Sequence, residues 1–113
     1  MKSLIKEIKI FAKERSWEKH HSPKNLAIGL NVEAAELLEI FLWLTEEESK
    51  KLNESQLTNL KEEIGDVMIY LTNLADKFDL DPIECAKEKL KLNKRKYPSN
   101  MGRGSAKKYT GAK

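Results

Sequence analysis

Two acidic stretches hold the residues best suited to chemistry. Glu33 and Glu36 stand three apart in one, and Glu63 and Asp66 stand three apart in the other. On a helix, residues at i and i+3 share a face, so each pair points one way. Leu37, Ile40 and Leu44 continue the face of the first pair, and Val67, Tyr70 and Leu74 that of the second. The carboxylates therefore share the stripes expected to build the core. A buried carboxylate costs several kcal/mol unless it is paired or binds a metal. Four that converge without a matching cation repel one another, which implies a hard divalent ion. Neither pair has a His at i+3, as di-iron carboxylate bundles require, because His20 and His21 both precede the second helix. An all-oxygen donor set favours Mg²⁺, with Mn²⁺ as a substitute, over iron or zinc.

The elements that must position these acids are helices. Leu4, Ile5, Ile8, Phe11 and Ala12 give an apolar stripe over residues 3–15. Residues 15–23 lose that period and form a connection. Ser22 followed by Pro23 is a helix start, with Ser as N-cap and Pro at the first helical position, and the second helix is expected over about 23–44. Thr45 with Glu48 has the pattern of a capping box opening a short turn. A loop at 53–55 leads to a third helix over about 56–78, interrupted by Gly65, which is expected to mark close approach of another backbone or a ligand. Asp81 as N-cap and Pro82 at the first position open a fourth helix that runs to about Lys96. No strand signal occurs. The expected architecture is all-α, a four-helix bundle-like domain over 1–98 with two antiparallel acid-bearing central helices, followed by a basic arm over 99–113.

A chain of 113 residues, 40% hydrophobic and 35% charged, suits one helical domain with a thin core. Placing acids within that core makes association into an oligomer expected, because it restores buried apolar area. The single cysteine, Cys85, excludes an intrachain disulfide. No run approaches the ~20 apolar residues needed to span a membrane, and the first residues lack the apolar run of a signal peptide. A cytoplasmic protein is expected. The net charge of +3 hides an asymmetry: residues 1–85 carry 11 Lys and Arg against 17 Asp and Glu, and residues 86–113 carry 10 against one. An acidic body with a basic tail suits a polyanion held between a metal site and cationic arms.

Other residues have a plain reading and a functional one. Trp17, Trp43 and Tyr70 are ordinary core aromatics, or rings that stack on a base beside a metal–phosphate site. The segment 89–97 is a solvated basic helix, or a triphosphate clamp. Nucleic-acid binding is the competing use of a basic tail, and it leaves the buried acids unexplained.

Taken together, Glu33-x-x-Glu36 followed by Glu63-x-x-Asp66 resembles the paired signature of the all-α nucleoside triphosphate pyrophosphohydrolases, the MazG-like group, and within it the dCTP pyrophosphatase branch. The likeness extends through residues 15–18, 21–26, 33–43, 62–71, 93–98 and 107–110. It implies Mg²⁺-dependent hydrolysis of a deoxynucleoside triphosphate, dCTP or a modified form first, to the monophosphate and pyrophosphate, as housecleaning of the nucleotide pool. Glu33, Glu36, Glu63 and Asp66 match the family's metal ligands, with Glu36 or Glu63 as general base. Trp17, Trp43 and Tyr70 match aromatics that enclose base and sugar, and His21, Lys89, Asn93 and Arg95 match polar contacts to the nucleotide. The resemblance also implies a homodimer or a dimer of dimers with sites near subunit interfaces. From the hydropathy and the buried acids, neither a membrane nor a nucleic acid is expected as partner. One departure concerns the first helix, which is short before Leu4 and carries only apolar or charged residues, so a nucleobase contact that relatives supply there is expected to be missing or different. The rival from another class is a small helical nucleic-acid-binding or interaction protein that uses the basic tail.

Overall fold

The computed structural model describes residues 2–15 and 21–97. Among these described residues five helices follow one another: α1 (Lys2–Glu14), α2 (Pro23–Leu42), the single-turn α3 (Glu46–Ser49), α4 (Glu54–Asp76) and α5 (Pro82–Lys96). No strand occurs among the described residues. The chain divides into two compact units, one ending at Leu80 and the other beginning at Asp81.

Local chemistry sets the helix ends. The Asn25 N–H donates to Ser22 Oγ at 3.1 Å, with Pro23 at the first helical position of α2. At α3 the capping box is complete: the Glu48 N–H donates to Thr45 Oγ1 at 3.1 Å, and the Thr45 N–H donates to Glu48 Oε1 at 2.8 Å. A second box, Asn53 with Gln56, starts α4 at Glu54. The expected 53–55 loop is therefore shorter, because an Asn N-cap satisfies the first amide donors two residues earlier than the apolar period begins. α4 closes with Asp79 in the left-handed region at φ 55° and the Leu80 N–H bonded back to the Ala75 carbonyl at 3.0 Å, a Schellman-type end.

The first unit is built on α2 and α4, with α1 laid on α4. Contacts run in opposite directions along the central pair: Gly29 meets Tyr70, and four residues on, Glu33 meets Glu63 and Asp66. The helices are antiparallel, as the short connection between them requires. Lys9 on α1 pairs with Asp76 on α4 at 3.3 Å. The core is thin. Ile8, Ala12 and Leu26 are its only buried apolar side chains among the described residues, joined by Thr72. On α2, Ile28, Val32, Leu38 and Leu42 stand exposed and, with Ala35 between them, follow one another at spacings of three and four, a continuous apolar stripe.

The glycine that matters is not the one expected. A Cβ built on Gly65 meets nothing within 4 Å, so this position is not a close contact. A Cβ on Gly29 would overlap the ring of Tyr70. The absence of a side chain at Gly29 is what lets α2 and the Tyr70 ring approach.

In the second unit, Asp81 caps α5 by accepting from the Ile83 N–H at 2.8 Å, and Lys94, Arg95 and Lys96 fill its last turn, where cations complement the helix dipole. Gly29→Ala is expected to destabilise the protein by about 1–3 kcal/mol, the usual cost of overpacking, read as a lower urea midpoint. An unchanged midpoint would show that Tyr70 can move aside without cost.

Candidate functional site

The antiparallel pairing of α2 and α4 brings acids from both helices together. Carboxylate oxygens of Glu33, Glu36 and Glu63 lie within 4.8 Å of one another. Glu33 and Glu63 are half-buried and Glu36 is exposed. One oxygen of each half-buried residue, Glu33 Oε2 and Glu63 Oε2, is shut off from solvent with no hydrogen-bond partner. Asp66 lies just outside the triad and acts on it through its charge. Burial pushes the Glu33 carboxyl up from 4.5 to about 7, and the neighbouring carboxyls of Glu36, Glu63 and Asp66 add to the rise. Glu63 is raised too, first by burial, with Glu33 opposing and Glu36 and Asp66 reinforcing. Orphaned buried oxygens at this spacing fit a hard divalent cation: it would accept the lone pairs that nothing else in the protein satisfies and remove the repulsion.

Beside the acids lies a cavity of about 540 Å³, within the size range of small-ligand sites. Glu33 and Asp66 form its acidic wall, His21 and Tyr70 also line it, and Ile8 and Phe11 bring apolar surface from α1. The Arg15 guanidinium sits over the Phe11 ring, 3.6 Å from its centre, and donates to the Phe11 carbonyl at 3.2 Å. Six residues singled out from the sequence, Glu33, Glu36, Glu63, Asp66, His21 and Tyr70, thus converge. Trp43 does not join them. It ends α2, ten residues or about 15 Å along the axis from Glu33, and is 88% exposed. Trp17 lies outside the described residues, as does the arm over 99–113. Lys89, Asn93 and Arg95 belong to α5 in the second unit, where Lys89 and Asn93, four apart, share a face that Arg95, two further on, does not.

The same acid-bearing stretch is matched by the family described as MazG-like, over residues 28–111. This chain belongs to the MazG-like family. It is 40% identical to dCTP pyrophosphatase 1 of Homo sapiens over 102 residues, 88% of this chain and 60% of that protein, with the same figures for the protein of Bos taurus. Among solved structures it resembles a pyrophosphatase from Archaeoglobus fulgidus, with 43% identity and a TM-score of 0.82, covering 88% of this chain and 93% of that one. The chain spans about 60% of the length of the curated relatives it matches. No helix among the described residues is long and apolar enough to cross a membrane.

Several residues of this MazG-like cavity escape a sequence reading. Phe11 and Ile8 read only as part of the apolar stripe of the first helix, and the sequence reading singles out neither Glu7 nor Asn73, yet all four line the cavity. For Asn73 a signal exists: Asp66, Ile69, Tyr70 and Asn73 follow one helical stripe at i, i+3, i+4 and i+7. For α1 no signal exists, because its docking on α4 is not encoded in its own period.

The raised carboxyls give the metal-free protein a defined pH response. Between 4.5 and about 7 folded Glu33 keeps a proton that the unfolded chain has lost, so stability falls as pH rises through this window. Cation binding requires the deprotonated form and strengthens over the same window. In thermal melts, the Tm of EDTA-treated protein is expected to fall between about pH 5 and about pH 8, and Mg²⁺ to raise it more at the higher pH. A Tm without pH dependence, or an Mg²⁺ effect larger at the lower pH, would contradict the geometry.

Proposed function

We propose that this protein hydrolyses a deoxynucleoside triphosphate, with dCTP or a modified form first, to the monophosphate and pyrophosphate, using Mg²⁺ with Mn²⁺ as a substitute. The observation that carries this reading is the triad of Glu33, Glu36 and Glu63, with its orphaned oxygens, beside a cavity with aromatic and apolar walls. The likeness to dCTP pyrophosphatases and to an archaeal pyrophosphatase supports both the bond cleaved and the base.

Glu33, Glu36, Glu63 and Asp66 would hold the cation. When bound, it supplies a lowered pKa for water and neutralises charge on the leaving pyrophosphate. Glu36 or Glu63 takes the proton of the attacking water. Glu36, as the exposed member of the triad, has direct access to solvent. Tyr70 lines the space for sugar and base, with His21 as a polar neighbour, and Gly29 keeps the Tyr70 ring in place. Lys89, Arg95 and the basic arm from residue 99 would hold the β- and γ-phosphates by charge-assisted hydrogen bonds, and Asn93 would make a polar contact to the nucleotide. The cytoplasmic nucleotide pool is the proposed setting, as a housecleaning activity.

The working form is a homodimer or a dimer of dimers. The exposed stripe of Ile28, Val32, Leu38 and Leu42 on α2 supports this reading, because a core this thin leaves its apolar area outside. Trp43, at the end of α2, would enclose base and sugar, with Trp17 as a second ring. Leu38→Asp is expected to shift the mass in light scattering to the monomer and to lower activity. A variant that keeps the wild-type mass would remove α2 from the interface.

Product analysis tests the reaction. The full chain with Mg²⁺ and each dNTP is expected to release monophosphate and pyrophosphate, and Glu63→Gln to slow turnover about a hundredfold or more while staying folded. Release of free phosphate instead would change the bond cleaved. Failure to turn over any nucleotide, with Mg²⁺ or Mn²⁺, would end the enzyme reading and favour a partner for the basic tail.

A further inference from the structure

The cavity has polar groups that metal and phosphate chemistry does not use. Asn73 sits seven residues beyond Asp66 on α4, about 10 Å along the axis, and lines the same cavity as the acids. Glu7 enters from α1. Two residues after Glu7, Lys9 is tied at 3.3 Å to Asp76, three residues beyond Asn73. The salt bridge thus anchors this part of α1 to the end of α4 where Asn73 lies, away from the carboxylate triad. Between the two ends run Ile8, Phe11, Ile69 and the Tyr70 ring, a wall suited to a flat aromatic ligand. A nucleoside triphosphate placed with its phosphates at the acids would reach Asn73 with its base.

Given that substrate, as proposed above, we propose that Glu7 and Asn73 read the edge of the nucleobase and select one carrying an exocyclic amine, the cytosine pattern, over one carrying a carbonyl there. An ionised carboxylate only accepts hydrogen bonds, so Glu7 takes the N4 amine of cytosine and repels O4 of uracil or thymine. The Asn73 amide both donates and accepts, and its NH₂ serves the ring acceptor N3 or O2. An amide alone can turn to match either pyrimidine, so Glu7 carries the discrimination and Asn73 the affinity. Selection by an acceptor-only group is strong because the wrong base leaves a charge facing a lone pair.

The test measures kcat/KM for dCTP and dUTP with the full chain and Mg²⁺, for wild type, Glu7→Gln and Asn73→Ala. Wild type is expected to favour dCTP. Glu7→Gln should lower the dCTP:dUTP ratio about tenfold or more, since the new amide can donate to O4, and dUTP should gain as dCTP loses. Asn73→Ala should lower kcat/KM for dCTP about tenfold, chiefly through KM. Glu7 is exposed, so its variant should keep the wild-type Tm, and Asn73→Ala provides a second probe on a different helix. A wild type that does not discriminate, or a Glu7→Gln ratio within about twofold of wild type while both substrates turn over, overturns the base-reading role and leaves the hydrolase reading intact. A wild type inactive on every dNTP fails the hydrolase reading itself, and this inference with it.

Discussion

Repulsion among the carboxylates of Glu33, Glu36 and Glu63 is the constraint on which the rest of this structure depends. Two of the three are half-buried, each with an oxygen that neither protein nor solvent satisfies. Left alone, such a cluster favours protonation, and Glu33 is accordingly raised to about 7 by burial and by its neighbours. The helix pair that carries the acids holds them together against this cost. A site under such tension is poised for a cation, because binding removes repulsion as well as forming new bonds.

What holds the pair is close packing at one point more than a large core. Gly29 admits the Tyr70 ring against α2, and this contact sits one turn from Glu33, so the same approach that packs the ring sets the spacing of the acids. Elsewhere burial is sparse, with Ile8, Ala12 and Leu26 as the enclosed apolar residues. Helix ends are secured locally instead, by the caps at Ser22, Thr45, Asn53 and Asp81. Apolar area that a larger core would enclose lies on the outer stripe of α2, where it can serve association.

The cavity joins two kinds of chemistry along one stripe of α4. Asp66 belongs to the charged end, Ile69 and Tyr70 to the flat wall, and Asn73 to the far polar end. α1 completes the space from the opposite side, with the Phe11 ring steadied by Arg15 and the helix tied to α4 by Lys9 and Asp76. The MazG-like match, over residues 28–111, covers both acid pairs and Asn73 but not Glu7.

Much of this was legible in the sequence alone, because it depends on neighbours in the chain. The helices follow from apolar period and from caps such as Ser22-Pro23 and Asp81-Pro82, whose hydrogen bonds span two or three residues. The acid pairs follow from i, i+3 geometry, and the thin core from composition. Tertiary structure decided what lies across a helix interface. Gly65, conspicuous inside its helix, faces open space, while the unremarked Gly29 is the tight contact, since a glycine's role is set by what another helix brings over it. Glu7, Phe11 and Asn73 became cavity residues only when α1 settled on α4. Trp43, aromatic and on the acid-bearing helix, stands exposed at its end, ten residues from Glu33. Local hydrogen bonding and periodicity are written in the order of residues, and the partner that each face meets is settled only when the helices pack.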